Sequence, residues 1–394
     1  MIKREMRFLA VLLCCMIPGL AGCGAEETAP TTTPIVPLTS GTADAEETPD
    51  AEAEPVTELC LTDESAGEIL ALRENTELQF VDARDSREYE ALFSLQAALP
   101  DCVIEWVYPL CGREVGSLET ELVFEAEDAV NAEELMEGLQ YLPRLTQVDL
   151  CAHEMREADM AKLTEAYPDV FFVWNVSFAA WTVRSDITVF STLQPGETAL
   201  RWDDEDLAPL FRYCTRLRAL DLGHNDLRDL EAFTRLTDLE VLILIDSPNL
   251  ADASPLGELE KLEYLEFYLN PSVRDYSFLA EFTNMKYVNL SYAPVTELSF
   301  LDTMPELRMA WLGFCPLSAE EVQRVRDTHP EAEIRTWYDG EISSTAAGWR
   351  ASDYNVAVRK AFKNWEQVEY YGAWDDVRYR EGAQLIEMYP TYEA

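Results

Sequence analysis

Between Leu217 and Cys315 the apolar positions return at a fixed spacing. Five segments share the pattern apolar-x-x-apolar-x-apolar-x-x-small or polar: LRALDLGHN, LEVLILIDS, LEYLEFYLN, MKYVNLSYA and LRMAWLGFC. They begin at Leu217, Leu239, Leu262, Met285 and Leu307, so the period is 22 or 23 residues, the range that marks a solenoid. Within each segment the two-residue alternation predicts a short strand. Leu220 and Leu222 then enter a core while Asp221 faces the other side. A single strand of this kind cannot bury its own apolar face, so the repeats must stack. The last position of each segment (Asn225, Ser247, Asn270, Ala293, Cys315) is where the chain turns out of the strand. A side-chain amide there can bond the backbone of the neighbouring turn, and a small residue fits the same space.

A slower repeat precedes this one. Thr57-Glu-Leu-Cys-Leu, Thr120-Glu-Leu-Val-Phe and Thr198-Ala-Leu-Arg-Trp read as three related strands, each followed by acids and a helical stretch. Val81-Asp82-Ala83, Val148-Asp149-Leu150 and Leu220-Asp221-Leu222 are the second strands of the three modules. LPDCVIEW, YPDVFFVW and HPEAEIRTW close them, at Trp106, Trp174 and Trp337. The reading is one strand–helix–strand–helix–strand unit used three times, with the short repeats inserted in the last. Helix starts are expected at Asn131 with Glu134 and at Ser318 with Glu321, which have capping-box spacing. The acids Asp203 to Asp206 fall where a helix begins and suit its dipole, and no Gly-centred calcium-loop spacing surrounds them.

The short segments resemble leucine-rich repeats of the internalin-like class, and LADASPLGELEKL from Leu250 resembles their return segment. The fold expected is an α/β leucine-rich-repeat solenoid, or horseshoe, with parallel strands on the concave face. Ala293 and Cys315 depart from the usual Asn, and Ala310 from a core Leu. As a whole the chain resembles bacterial leucine-rich-repeat lipoproteins of the Gram-positive, Clostridia-like kind. That resemblance implies a cell-surface binding or scaffolding protein.

The N-terminus extends this reading. Lys3, Arg4 and Arg7 precede an apolar run from Phe8 to Ile17, too short to span a bilayer and suited to a signal peptide. It closes with Leu20-Ala21-Gly22-Cys23, which resembles a lipobox. The resemblance implies cleavage before Cys23, lipidation of its thiol and retention on the outer face of the cytoplasmic membrane. Gly24 to Glu58 holds nine acids and no Lys or Arg, too polar to fold and suited to a tether. The expected division is a signal peptide (1–22), a lipid-anchored acidic linker (23–56), long repeat-like modules (57–197), the leucine-rich array (198–340) and a C-terminal cap or extension (341–394). In the last part a helix is expected from Tyr354 to Trp365, with Val356, Val358, Phe362 and Trp365 as packing residues.

Charge and chemistry narrow the function. With 74 acids against 30 bases the formal charge is −44, which disfavours nucleic acid as a partner. The six cysteines beyond the signal (60, 102, 111, 151, 214, 315) lack C-x-x-C pairing, so a zinc site is not expected and buried free thiols are. His153, His224 and His329 are scattered, and no hydrolase, phosphate-loop or redox motif is present. No catalytic residue, metal or cofactor is therefore expected. Alternation instead puts aromatic residues on the concave side: Tyr264, Tyr287 and Trp311 in the strands, and Tyr268, Tyr292 and Phe314 at their exits. Such side chains make interface anchors. The site expected is this aromatic face, open to solvent, with a protein or peptide ligand; the alternative is a polysaccharide-binding or glycan-processing surface lipoprotein using the same face. Replacing Tyr264, Tyr287 and Trp311 would then leave the fold nearly unchanged.

Overall fold

The computed structural model describes residues 57–192 and 201–336, together with Trp349, Asn355 and Val358. The signal peptide, Cys23, the linker, and Val356, Phe362 and Trp365 lie outside the described residues.

The chain starts with a strand–helix–strand–helix–strand unit. It runs β1 (Glu58–Cys60), α1 (Ala66–Ala71), β2 (Phe80–Asp82), α2 (Tyr89–Ala98) and β3 (Val103–Glu105), its strands parallel in that order. The central residue of each strand is apolar and buried (Leu59 partly, Val81 and Ile104 fully), because alternate side chains share a face. A hairpin follows, β4 (Val107–Leu110) and β5 (Arg113–Gly116). Its two-residue turn, Cys111-Gly112, has positive φ at both positions, as the twist of a tight hairpin requires. The second module repeats the first: β6 (Glu121–Val123), α3 (Ala132–Gly138), β7 (Gln147–Asp149), α4 (Glu157–Ala166), β8 (Phe171–Val173), then the hairpin β9 (Asn175–Phe178) and β10 (Trp181–Arg184).

The third module holds the long sheet. After β11 (Val189–Ser191) and α5 (Asp204–Tyr213) come β12 (Ala219–Asp221), β13 (Val241–Ile243), β14 (Tyr264–Glu266), β15 (Tyr287–Asn289) and β16 (Met309–Leu312). Then α6 (Ala319–Thr328) leads to β17 (Glu333–Thr336). β11 to β17 form one seven-stranded parallel sheet in sequence order, the solenoid that the 22–23-residue period predicts. Leu220, Leu242, Leu265, Val288, Ala310 and Ile334 stand in one column facing the core. The return segments carry single 3-10 turns at Glu231–Arg235, Ser254–Glu258, Ser277–Glu281 and Ser299–Thr303. Each of the first three is launched by an aspartate two residues earlier. Asp229, Asp252 and Asp275 accept the N–H of Glu231, Ser254 and Ser277 at 2.8–2.9 Å. These bonds hold the carboxyls of Asp252 and Asp275 below the usual range.

Two expectations need correction. The parallel strands expected on one concave face do not pair as a single sheet across the three modules: they form sheets of three, three and seven strands, with a hairpin after each of the first two. The hairpins take the chain out of the sheet and bridge the modules instead. Tyr108 of β4 lies 4.7 Å from the Tyr89 ring and 5.0 Å from that of Tyr141, and Trp106 donates its indole N–H to the Tyr141 carbonyl at 2.9 Å. A Cβ on Gly138 would sit 2.6 Å from Leu110, so glycine lets the hairpin close on α3.

The other correction concerns the third module, which opens at Thr188, not at Thr198. Thr198 itself lies outside the described residues, and Arg201 and Trp202 are not in a strand. The carbonyl of Thr188 receives Arg218 N–H at 2.8 Å, as Thr57 receives Gln79 and Thr120 receives Thr146 at the same distance. A serine marks the same boundary. Ser117 and Ser185 each return a backbone N–H at 2.8 Å to the module-closing carbonyl of Trp106 or Trp174, and their hydroxyls bind Ile104 and Phe172 carbonyls.

The capping spacings are half right. Asn131 and Ser318 do cap α3 and α6, but Glu134 and Glu321 turn outward to accept the N–H of Cys111 (2.5 Å) and Leu298 (2.7 Å) from neighbouring segments. Asp203 caps α5, and Asp204 accepts the N–H groups of Arg228 and Asp229.

Because each strand's core column is shared with its neighbours, damage at one should spread. Val288→Asp puts a charge between Leu265 and Ala310, where unpaired burial costs several kcal/mol. Urea unfolding should show a lower midpoint and protection lost in β14 and β16 as well as β15; hydrogen exchange confined to β15 would contradict this.

Candidate functional site

The face of the long sheet opposite the core is built from two columns. One is Ala219, Val241, Tyr264, Tyr287 and Met309; the other is Asp221, Ile243, Glu266, Asn289 and Trp311. The register places Tyr264 beside Tyr287 and aligns Trp311 with Asn289 and Glu266, as the sequence columns predict. Exposure is where expectation fails. Tyr264, Tyr268, Tyr287 and Trp311 are all buried, at 2, 9, 4 and 7%. They form a second apolar cluster with Val189, Ile243, Ile245 and two residues from far along the chain, Trp349 and Val358. The Trp349 ring lies 5.5 Å from Tyr264 and 6.2 Å from Trp311. Asn355 donates its amide to the Tyr264 hydroxyl and to Glu266 Oε1, both at 2.9 Å, and Tyr264 donates to the same Oε1 at 2.7 Å. Three residues from further along the chain, Trp349, Asn355 and Val358, therefore sit on the face expected to be open.

The Glu266 carboxylate is fully buried among these donors. On the same face Asp221 accepts the Ser191 hydroxyl at 3.2 Å and Gly223 N–H at 3.1 Å, and Asn289 accepts Ser291 N–H at 3.1 Å. Among the described residues, the indole N–H groups of Trp311 and Trp349 are buried with no acceptor, each at a cost of about 1–3 kcal/mol.

What is open is the row beside this face. His224, Asp246, Leu269, Tyr292 and Phe314 occupy the same place in successive repeats, one residue before the ladder position, and all have positive φ between 55° and 66°. Left-handed backbone projects each side chain outward from the strand exit. The aligned residue in the third repeat is thus Leu269, and Tyr268 turns one position earlier into the buried face. Leu269, Tyr292 and Phe314 are 41, 49 and 38% exposed, and the rings of the last two stack at 4.6 Å with planes 13° apart. At the other end of the row His224 meets Asp246 at 3.1 Å, and Arg201 pairs with Asp246 at 2.5 Å. The row changes from charged to apolar along the solenoid.

Behind it the ladder positions hold neighbouring turns together. Asn225 donates to the Leu222 carbonyl (3.0 Å) and the Thr192 hydroxyl (2.8 Å), and Asn270 to the Leu244 carbonyl (2.9 Å). Cys315 makes the equivalent bond with its thiol, to Leu290 O at 3.2 Å, so the departure from Asn keeps the contact. Among the described residues the six cysteines are free thiols; Cys102, Cys111, Cys214 and Cys315 are buried, while Cys60 is exposed and Cys151 half-buried. Burial pushes the thiols of Cys214 and Cys315 up to about 12, far from a nucleophilic thiolate. Among the described residues no group of acids, cysteines and histidines is arranged to hold a metal, and no helix is long and apolar enough to cross a membrane.

No family model and no curated protein matches this chain. Solved structures do. Internalin C2 of Listeria monocytogenes is 17% identical over 39% of this chain and 74% of its own, with a TM-score of 0.30. An internalin F of the same organism is 14% identical over 70% and 80%, with a TM-score of 0.29. A leucine-rich-repeat protein of Leptospira interrogans is 15% identical over 68% and 74%, also at 0.29. All three are bacterial leucine-rich-repeat proteins. At such scores the likeness carries no weight beyond agreement; the solenoid stands on its own strand register.

Burial reverses the expected outcome of one substitution set. Tyr264→Ala and Trp311→Ala should each destabilise the fold by about 3 kcal/mol, as core aromatic truncations do. Tyr292→Ala should change stability by less than about 1 kcal/mol. Urea denaturation distinguishes the two classes; a wild-type midpoint for Trp311→Ala would mean the face is open in solution.

Proposed function

We infer that this chain is a surface lipoprotein that binds a protein or peptide partner through its leucine-rich-repeat solenoid and does no chemistry itself. The observation that carries the reading is the apolar end of the exit row. Three successive repeats place Leu269, Tyr292 and Phe314 in left-handed backbone and leave them in large part exposed. Bulky side chains in that conformation cost about 1–2 kcal/mol each, where Gly or Asn would cost far less. Exposed aromatics on a chain this acidic also add an apolar patch with no role in the core. Strain and exposure kept together at one edge support a use for that edge.

Tyr and Phe beside an aliphatic Leu suit a protein or peptide surface. A polysaccharide remains the alternative, since stacked rings also receive sugar faces, but Leu269 offers a sugar little. The charged end, with Asp246 and Arg201, would set the partner's orientation.

Anchorage follows from the sequence. The Leu20-Ala21-Gly22-Cys23 end of an apolar run supports lipidation at Cys23, and the acidic linker supports a solenoid held clear of the membrane. Cys23→Ala should shift the protein from the membrane fraction to the medium, or leave it unprocessed. Intact mass of the mature protein showing a different, unmodified N-terminus would refute the anchor.

Partner binding is tested with Tyr292→Ala/Phe314→Ala. Affinity for a partner purified from the native envelope should fall about tenfold or more, with the fold unchanged. Equal affinity would exclude the row. Retention of a purified cell-wall glycan, lost in the same variant, would favour the alternative.

A further inference from the structure

The exit row is a ladder as well as a patch. Leu269, Tyr292 and Phe314 recur with the strands beneath them, and the last two rings lie 4.6 Å apart with planes 13° from parallel. That is the separation of neighbouring strands, about 4.8 Å. Two residues after each row position stands an exposed proline: Pro271, Pro294 and Pro316. Proline has no backbone N–H, so these positions offer a partner apolar surface and no donor. Strand addition, which depends on such donors, is disfavoured at this edge.

Spacing chooses among the remaining occupants. Side chains on one face of an extended peptide recur about every 6.6 Å, and those on one face of a helix about every 5–6 Å. Neither keeps step with three contacts at strand pitch. The edge of another parallel solenoid does, and this chain carries such an edge. The order of the row suits a two-fold arrangement. With the axis at Tyr292 the two Tyr292 rings meet, and Leu269 of each copy faces Phe314 of the other. A smaller side chain then meets a larger one on both sides of the axis.

Charge favours the same arrangement. At a formal charge of −44 two copies repel, but the three row residues and the three prolines carry no charge. Asp246, one step beyond Leu269, is paired with Arg201 and His224. In antiparallel rows the two Asp246 carboxylates stand four strand steps apart, about 19 Å, well beyond the screening length of about 8 Å in physiological salt. In parallel rows they would face each other directly.

We propose that the exit row binds a second copy of this chain, with the rows antiparallel about a two-fold axis at Tyr292. Three row residues and three prolines from each copy fall short of the roughly 800 Å² per partner that a stable interface buries. The contact is therefore weak and forms where copies are held close together, as tethers to one surface would hold them. The inference rests on the reading of the row as a binding site and names its partner.

The test is site-directed cross-linking of the full-length chain with a short bis-maleimide, read on denaturing gels. Every variant is made in a Cys60→Ser parent, because Cys60 is an exposed thiol away from the row. Tyr292→Cys should give several-fold more dimer than the parent. Leu269→Cys and Phe314→Cys should each give little alone and a strong product when the two chains are mixed. Adding Tyr292→Arg to both chains should abolish the mixed product, since two like charges then meet on the axis. Raising the salt should increase the yield, because the two copies repel; a basic partner would show the opposite dependence. Yields at the parent level would overturn the proposal. So would strong products from Leu269→Cys alone, which mark parallel rows, or a mixed product that survives Tyr292→Arg. Capture of a different envelope protein, lost in Tyr292→Ala/Phe314→Ala while no row-specific dimer forms, would overturn the pairing and leave the row as a binding site.

Discussion

Strands of three or four residues gain few hydrogen bonds each, and a parallel sheet made of them has two faces that must both leave water. In this solenoid the core face is covered at short range. Each 3-10 turn returns over its own strand, so Phe233, Leu256, Leu279 and Leu301 close the repeat from which they come. The outer face has no such local cover, because the repeat is used up in making one side. Whatever covers it must come from elsewhere in the chain or from another molecule. Here Trp349, Asn355 and Val358 do so, Asn355 reaching Glu266 and Tyr264 across 89 and 91 residues of sequence.

That need also explains the composition of the outer columns. A face meant for water would carry charges in every repeat, yet Val241, Ile243, Tyr264, Tyr287 and Trp311 are apolar or nearly so. The polar groups among them, Asp221, Glu266 and Asn289, are each held by hydrogen bonds from nearby residues. A buried carboxylate is tolerated only with such partners. Glu266 has one of them, Asn355, supplied by the distant segment, so its state is coupled to whether the face is covered.

Much of the array was legible because its signal is local and periodic. The strand register, the two columns and the ladder positions follow from counting 22 or 23 residues, and the structure aligns Tyr264 with Tyr287 on that count. Less was legible wherever one residue's offset or a distant contact decides. Tyr268 and Leu269 differ by a single position, and only the left-handed backbone at Leu269 shows that it, not Tyr268, points out with Tyr292 and Phe314. Thr198 resembled Thr57 and Thr120 more closely in its neighbours than Thr188 did, but the backbone bond to Arg218 belongs to Thr188. The better signal was Ser117 and Ser185, eleven residues after Trp106 and Trp174, each three residues before the true start of a strand module (Thr120, Thr188). Burial of the aromatic face was not readable at all, since alternation says which side a residue is on and nothing about what lies over that side.

The open row and the covered face are one structure seen from two sides. In each repeat the residue that ends on the buried face is followed directly by the left-handed residue of the row: Ile245 by Asp246, and Tyr268 by Leu269. A molecule that lands on Leu269, Tyr292 and Phe314 is therefore one residue away from the edge of the face that Trp349 occupies. On the reading proposed here, the row gives first contact without cost to the fold, because its side chains are already exposed and its backbone strain is paid in every state.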